Sequence, residues 1–289
     1  MNTINFHKIE LQQININQCT VDVLRLDLIH PIISGNKWFK LKYYLEEFKK
    51  QENNTIATFG GAYSNHIVAT AFACKELNIN SAGFIRGEKP KKLSHTLTCA
   101  MDYGMKLFFL DRKEYANKKS VIESFTEYYW IDEGGYGELG AQGSSEILDQ
   151  ISKNSYTHIV CSIGSGTMIA GIINNSTNEQ NIIGINVLKG NSSIYSEINN
   201  LLTAPKKYTI LNDYHFGGYA KKSNDLLQFM NNFYSKHKIP TDFVYSGKLM
   251  YAVQDLCFTK FFTPFDKILV IHCGGLQGNV SLPENSLSF

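Results

Sequence analysis

The segment THIVCSIGSGTMIAGIIN, residues 157–174, decides the fold. Its first part, 157–164, is apolar almost throughout, and a glycine turn then opens into a helix predicted over 165–174. Strands buried on both faces have this continuous apolar pattern. Similar runs predict strands at 55–60, 81–87, 105–110, 181–188 and 266–275, with helices at 64–77, 94–104, 144–153 and 223–237. This alternation predicts an α/β fold with open, mostly parallel sheets flanked by helices.

The composition is that of an ordinary globular protein. The 289 residues are 43% hydrophobic and 19% charged, and the net charge is +2, which gives no strong attraction to nucleic acid or to a membrane surface. The six cysteines are widely spaced, so we expect neither a disulfide framework nor a metal site. The start, MNTINFHKIELQQ, lacks the features of a signal peptide, and no run approaches the ~18 apolar residues of a membrane span. We therefore expect a cytoplasmic protein of about two domains.

The glycine-rich stretch Ser162–Thr167 is the first candidate binding element. Glycines allow a close backbone approach, and the N–H groups at the start of the following helix attract anions such as phosphate. The same stretch can simply turn a strand tightly into a helix. It is not a Walker A loop, because no GK[ST] follows, and its spacing does not match the dinucleotide-binding fingerprint.

Four glycine pairs lie just after predicted strands or in similar turns. The carboxyl ends of strands form the ligand crevice of open α/β sheets, so these turns favour a broad, flat ligand held by backbone groups. Glycines required only by the chain path would give the same pattern. The pairs are Gly60-Gly61, Gly134-Gly135, Gly217-Gly218 and Gly274-Gly275.

Two further motifs have alternative interpretations when each is taken alone. Lys37 lies between a small-residue turn and a predicted helix that begins with aromatic residues, where a lowered pKa would free its amine for imine chemistry. An ordinary surface lysine would fit the local sequence equally well. The motif GGAYSNH, residues 60–66, places Ser64 or Asn65 at a helix start, which can be no more than a good N-cap.

Five segments, taken in order, resemble one enzyme family. They are SGNKWFKLKYYL (34–45), FGGAYSNH (59–66), CSIGSGTMIAG (161–171), FVYSGKLM (243–250) and IHCGG (271–275). Together they are similar to the family of 1-aminocyclopropane-1-carboxylate (ACC) deaminase and D-cysteine desulfhydrase. That family consists of pyridoxal-phosphate enzymes of fold type II, and the resemblance extends over nearly the whole chain.

The resemblance implies pyridoxal 5'-phosphate as the cofactor. Lys37 matches the lysine that forms the Schiff base, Lys40 matches one that helps to hold the phosphate, and Asn65 matches the asparagine that hydrogen-bonds the phenolic oxygen. The phosphate cup would be formed by Gly164, Ser165, Gly166 and Thr167.

The resemblance also implies residues that act on a small amino-acid substrate. Ser64 matches the serine on the open face of the cofactor, where it could be a nucleophile, a proton carrier or a substrate anchor. Tyr219 and Tyr245 match tyrosines near the substrate. His66 could line the pocket or make a structural hydrogen bond.

Two positions bear on the substrate. ACC deaminases have Glu after the tyrosine of the VY-E-GK segment and Leu before the last glycine pair, whereas this chain has Ser246 and Cys273, either of which could face the pyridine nitrogen. A carboxylate there would favour the protonated ring, and a hydroxyl or thiol would not. We therefore expect α,β-elimination from D-cysteine or a related β-substituted D-amino acid. ACC deamination is the alternative, and a nucleotide-dependent oxidoreductase is a remote one.

The resemblance further implies the architecture. A large domain would comprise 1–50 and 144–289, and a smaller inserted α/β domain would comprise 51–143, with the cofactor in the cleft between them. Proteins of the family are usually homodimers.

Overall fold

The computed structural model describes residues 4–289 as an α/β protein. Its strands are β1 (Glu10–Ile16), β2 (Cys19–Arg25), β3 (Thr55–Gly60), β4 (Asn80–Arg86), β5 (Lys106–Leu110), β6 (Tyr129–Ile131), β7 (His158–Ile163), β8 (Asn181–Asn186), β9 (Thr209–Leu211) and β10 (Ile268–His272). Its α-helices are α1 (Asn36–Phe48), α2 (Asn65–Glu76), α3 (His95–Asp102), α4 (Arg112–Ala116), α5 (Lys118–Ser124), α6 (Glu138–Ser145), α7 (Thr167–Asn175), α8 (Ile194–Asn199), α9 (Asn224–His237) and α10 (Ser246–Phe258).

The strands form two sheets. The larger has the order β1-β2-β10-β7-β8-β9, and the smaller has the order β5-β4-β3-β6. Every pairing is parallel except the β1–β2 hairpin. All five residues of β10 are buried, because helices cover both faces of the larger sheet. The predicted class of mostly parallel sheets flanked by helices is confirmed.

The prediction of a helix over 144–153 is wrong. The chain instead forms α6 from Glu138 to Ser145, mostly within residues 131–143, which the sequence predicts as a loop, and then two short 3₁₀ turns. Glycine disfavours helices in isolation, but here Gly143 lets α6 pack directly on α1: a Cβ at this position would lie 1.8 Å from the carbonyl oxygen of Phe39. Close packing between helices therefore outweighs the low helical propensity of this segment.

The hairpin at one edge of the larger sheet has no counterpart among the predicted elements. β1 carries polar residues and has an alternating burial pattern, as expected for an edge strand with one face toward solvent. Its turn includes Asn17 in a left-handed conformation, with φ of 52°. The three-residue strands β6 and β9 are too short for a recognisable apolar pattern.

The strands of the two sheets fall on opposite sides of the predicted domain division. Strands from residues 55–131 form the smaller sheet, and the larger sheet is built from residues 10–25 and 158–272. The boundary between residues 143 and 144 lies inside α6, and residues 1–3 lie outside the described residues, so the domain limits stay a prediction. No helix within residues 4–289 has both the length and the apolar character needed to cross a bilayer.

Candidate active site

A cleft of about 610 Å³ opens where the carboxyl ends of strands from both sheets meet. Gly61 after β3, Gly164 after β7 and Cys273 after β10 all contribute to it. Ligands bind at this edge of parallel sheets in α/β proteins. The structure brings together here most of the residues that the sequence predicts for the site: Lys37, Lys40, Ser64, Asn65, Gly164, Ser165, Gly166, Tyr219, Tyr245 and Cys273. Thr167 and Ser246 are buried and do not line the cleft.

Lys37 lies in the first turn of α1, and a backbone contact fixes the start of that helix. Gly35, with φ of 65°, reverses the chain there. A Cβ at Gly35 would lie only 1.8 Å from the carbonyl oxygen of Cys273, so glycine is required. The same carbonyl accepts a hydrogen bond from the N–H of Asn36 at 3.3 Å. The position of Lys37 is thus tied to the end of β10.

The amine of Lys37 is favourably placed for nucleophilic chemistry. Its Nζ donates a 2.7 Å hydrogen bond to Oδ1 of Asn36. Burial lowers the pKa of Lys37, and this effect exceeds the opposing influence of Cys273 and Asp242. A larger fraction of neutral amine is therefore available near neutral pH than for an exposed lysine.

Lys40, one turn further along α1, reaches the glycine loop. Its Nζ donates to Oγ of Ser165 at 3.1 Å and to the carbonyl oxygen of Gly134 at 3.2 Å. Gly166 has φ of 77°, and α7 begins directly after it, so the first N–H groups of this helix point toward the loop. An ammonium group, a hydroxyl and free backbone N–H groups together suit a phosphate. Thr167 stabilises the loop from behind, with its hydroxyl 2.9 Å from Oγ of Ser165.

The start of α2, which follows β3 of the smaller sheet, contributes polar groups to the cleft. Ser64 caps the helix by accepting the N–H of Ile67 at 3.4 Å. Oδ1 of Asn65 and Nδ1 of His66 are buried without a hydrogen-bond partner among the described residues. Unpaired buried polar atoms are costly and are uncommon away from binding sites. Burial, reinforced by Lys37 and Lys40, lowers the pKa of His66 to about 3, so its ring is neutral; Nε2 lies 2.9 Å from the hydroxyl of Thr58.

Two tyrosines form one wall of the cleft. The rings of Tyr219 and Tyr245 pack edge to face with centroids 6.2 Å apart. Tyr219 follows the Gly217-Gly218 turn, which itself does not line the cleft, and Tyr245 directly precedes α10. Burial raises the pKa of both phenols, that of Tyr245 well above its usual value. Both side chains are therefore protonated hydrogen-bond donors at neutral pH.

The two positions that bear on the substrate have different surroundings. Sγ of Cys273 faces the cleft and lies 3.2 Å from Oγ of Ser162, and burial raises the pKa of the thiol, which is thus neutral. The hydroxyl of Ser246 instead donates a 2.6 Å hydrogen bond to the buried carboxylate of Asp242. In this structure Cys273, and not Ser246, presents its side chain to the ligand space.

Several cleft residues are missing from the sequence-based prediction. Asn36 holds the amine of Lys37. Ser162 belongs to the glycine-rich stretch named as a candidate binding element, but its pairing with Cys273 is not predicted. Arg86, at the end of β4, and Glu133, after β6, lie at the rim. Arg86 lies at the carboxyl end of the predicted strand 81–87, so the rule that ligands bind at such ends was the available signal for it. Glu133 follows β6, which the sequence does not predict, and no such signal points to it.

Comparison with known proteins identifies the family. The family model described as "Pyridoxal-phosphate dependent enzyme" matches residues 16–274. The chain belongs to this family. A Thermotoga maritima protein, provisionally named a 1-aminocyclopropane-1-carboxylate deaminase, is 30% identical over 89% of this chain and 88% of its own length. The bifunctional D-cysteine desulfhydrase/1-aminocyclopropane-1-carboxylate deaminase of Arabidopsis thaliana is 28% identical over 89% and 72%.

Solved structures share the fold of this pyridoxal-phosphate-dependent enzyme. The crystal structure of an ACC deaminase homologue covers 94% of this chain with a TM-score of 0.83, at 24% identity over 91% of its own length. A hydrogen sulfide-producing enzyme from Fusobacterium nucleatum covers 95% with a TM-score of 0.69, at 13% identity over 97% of its own length. These matches confirm the predicted fold type II class, pyridoxal phosphate as the cofactor, and the family that the sequence resembles. The alternative of a nucleotide-dependent oxidoreductase is therefore dropped.

The cleft residues fit pyridoxal 5'-phosphate. A primary amine with a lowered pKa is available at Lys37, and Lys40 with the 164–166 loop offers the hydrogen-bond donors that would hold a phosphate. Asn65 also lines the cleft, and its Oδ1 has no hydrogen-bond partner among the described residues. A site of about 610 Å³ has room for the cofactor and a small amino acid.

Proposed function

We propose that this enzyme catalyses α,β-elimination from D-cysteine or a related β-substituted D-amino acid. With D-cysteine and one water molecule, the products would be pyruvate, hydrogen sulfide and ammonia. The observation that carries the proposal is the neutral pair formed by Cys273, directly after β10, and Ser162, near the end of β7. Position 273 is one of the two that the resemblance makes candidates for facing the pyridine nitrogen, and its side chain faces the cleft. Without a carboxylate partner the ring withdraws electrons less strongly, and expulsion of a good leaving group such as thiolate requires less electron withdrawal than opening a cyclopropane.

Each side chain in the cleft has a role in this scheme. Lys37 would bind the cofactor, and Lys40 with Ser165 would hold its phosphate. Pyridoxal phosphate, when bound, stabilises the negative charge that develops at the substrate α-carbon. The N–H groups of Asn65 and His66 at the start of α2 would bind the substrate carboxylate, since they have no partners within the helix, whereas the N–H of Ile67 is already capped by Ser64.

The pKa directions support one assignment of the proton transfers. Nζ of Lys37 is the stronger candidate for the base that removes the α-proton, because burial favours its neutral form. Tyr219 and Tyr245 have raised pKa values, so they would donate hydrogen bonds or a proton to the departing β-group and would not act as bases. Of the three roles considered for Ser64, we favour that of a substrate anchor over nucleophile or proton carrier, because its oxygen already accepts the hydrogen bond that caps α2.

ACC deamination is the second candidate. It is supported by the provisional name of the Thermotoga maritima relative and by the bifunctional name of the Arabidopsis thaliana relative. The same residues would bind ACC, and the products would be 2-oxobutanoate and ammonia.

A substrate panel separates the two functions. Purified enzyme loaded with cofactor is given ACC and the D- and L-forms of cysteine, serine and β-chloroalanine, and release of 2-oxo acid and sulfide is measured. We expect the highest kcat/KM on a D-amino acid with a good leaving group. A higher kcat/KM on ACC would refute the preferred function. Lys37→Ala serves as the control, and it should lose both turnover and the visible absorbance of the lysine-bound cofactor.

A further inference from the structure

A second buried lysine, Lys248, lies on α10 one turn after Tyr245 and outside the cleft. Its side chain is fully buried. Nζ donates to two backbone carbonyl oxygens, that of His215 at 2.8 Å and that of Gly218 at 2.7 Å. No carboxylate of residues 4–289 lies within salt-bridge distance of it. Because burying an unpaired ammonium group is costly, these two hydrogen bonds account for its retention in the interior.

The loop that Lys248 contacts, residues 215–220, has an unfavourable backbone. Phe216 has φ of 50° and Ala220 has φ of 52°, a left-handed conformation that side chains with a Cβ disfavour. Within the loop, two hydrogen bonds join His215 to the N–H groups of Gly217 and Gly218, at 2.9 and 3.0 Å. A loop with this backbone conformation keeps its shape only if residues outside the loop hold it in place.

The loop carries Tyr219 to the cleft, and α10 holds its partner ring. Asp242 accepts the N–H groups of Val244, Tyr245 and Ser246 at 2.8–2.9 Å, which fixes Tyr245 at the start of the helix. Lys248 then connects the same helix to the loop. One helix thus determines the positions of both aromatic rings.

We propose that Lys248 is a positioning residue that holds the loop 215–220 so that Tyr219 faces the cleft against Tyr245. It acts through Tyr219 and does not touch the ligand space. The role of Lys248 rests on the proposed function only in those tests that measure turnover of a substrate.

Two substitutions at Lys248 test the hydrogen bonds. Lys248→Met keeps the volume but removes the donors, whereas Lys248→Gln keeps an amide group with two N–H donors. In enzyme loaded with cofactor, we expect chymotrypsin to cleave Lys248→Met after Phe216 or Tyr219 about tenfold faster than the parent. Lys248→Gln should be cleaved more slowly than Lys248→Met. Lys222→Met, at an exposed lysine beyond the same loop, is the matched control and should behave like the parent.

The readouts distinguish this proposal from the proposed function. Cleavage rate and visible absorbance of the bound cofactor require no substrate, so the proteolysis result stands whichever amino acid the enzyme uses. On the best substrate of the panel, Lys248→Met should lower kcat by about 100-fold, the effect expected of a misplaced catalytic group, with cofactor absorbance unchanged. Equal cleavage rates for the parent and a folded Lys248→Met would overturn the proposal.

A double-mutant cycle decides the question even if Lys248→Met does not fold. If Lys248 acts through Tyr219, Lys248→Gln should change kcat in the parent but by less than about twofold in a Tyr219→Phe background. Equal fold-changes in both backgrounds would show that the two residues act independently, and would overturn the proposal.

Discussion

Lys40 is expected to make binding of the cofactor phosphate dependent on proton uptake above neutral pH. Its ammonium group lies beside the 164–166 loop, the proposed phosphate site, 3.1 Å from Oγ of Ser165, with only 5% of the residue exposed. Burial first, and then the neighbouring Lys37, lower the pKa of Lys40 to about 7. Above that pH the free enzyme has mostly neutral Lys40, whereas a bound phosphate dianion favours the charged form. Binding must then take up a proton, and affinity falls as the pH rises.

The magnitude follows from the uptake of one proton. Affinity should fall about tenfold per pH unit, which is about 100-fold or ~2.7 kcal/mol between roughly pH 7.5 and 9.5. The phosphate itself does not contribute, because its second pKa is about 6 and it is already a dianion in this range.

The assay uses pyridoxine 5'-phosphate, which has no aldehyde, and a Lys37→Met background, which removes the titration of that lysine. Burial, the larger cause, still lowers the pKa of Lys40 in this background. The matched protein also carries Lys40→Arg, whose charge is permanent. Because titration of the ligand is the same for both proteins, the ratio of their affinities isolates Lys40. Because removal of Lys37 leaves the pKa of Lys40 less depressed, we expect the affinity relative to the Lys40→Arg protein to fall with rising pH by less than the roughly 100-fold worked for the parent. The fall should steepen toward about tenfold per pH unit at the top of the range. Parallel pH profiles would refute the reasoning.

Two further predictions concern the framework of the site, and both are measured by urea unfolding of the cofactor-free protein. Gly35→Ala should cost more than about 3 kcal/mol and weaken cofactor binding, because its Cβ would meet the Cys273 carbonyl; Gly190→Ala, with φ of 73° and open space around it, should cost only about 1–2 kcal/mol. Asp242→Asn should cost about 3 kcal/mol or more, because an amide cannot accept all four hydrogen bonds made to the carboxylate. Asp255→Asn should cost less than about 1.5 kcal/mol, because the amide oxygen can still accept the single hydrogen bond that Tyr214 donates at this position. Equal losses within either pair would contradict these assignments.

The sequence predicts the parallel core of this fold well because its strands are buried on both faces. β3, β7, β8 and β10 lie within the predicted apolar runs. Elements that depend on tertiary packing are not predicted. Gly143 favours a loop locally, and only the proximity of α1 makes the helix α6 favourable.

The candidate site shows the same contrast between local motifs and long-range contacts. Lys37, Lys40 and Asn65 belong to local motifs, and each lines the cleft. The pairing of Ser162 with Cys273 joins residues 111 positions apart, so it follows from sheet order and not from either motif. The hydrogen bond from Ser246 to Asp242 is local, since the two residues are four positions apart, but the sequence does not show that it turns the side chain at 246 away from the ligand space.

The contact between Gly35 and Cys273 separates geometry from chemistry at the centre of this site. It joins α1 to the end of β10 through the carbonyl group of residue 273, so the side chain at that position takes no part in it. That side chain can therefore change from thiol to hydroxyl or hydrocarbon while the reactive amine stays in place. On the proposed function, in which the side chain at 273 faces the pyridine ring, a single substitution there would give the cofactor a different electronic partner, and with it a different substrate, while leaving the backbone frame intact.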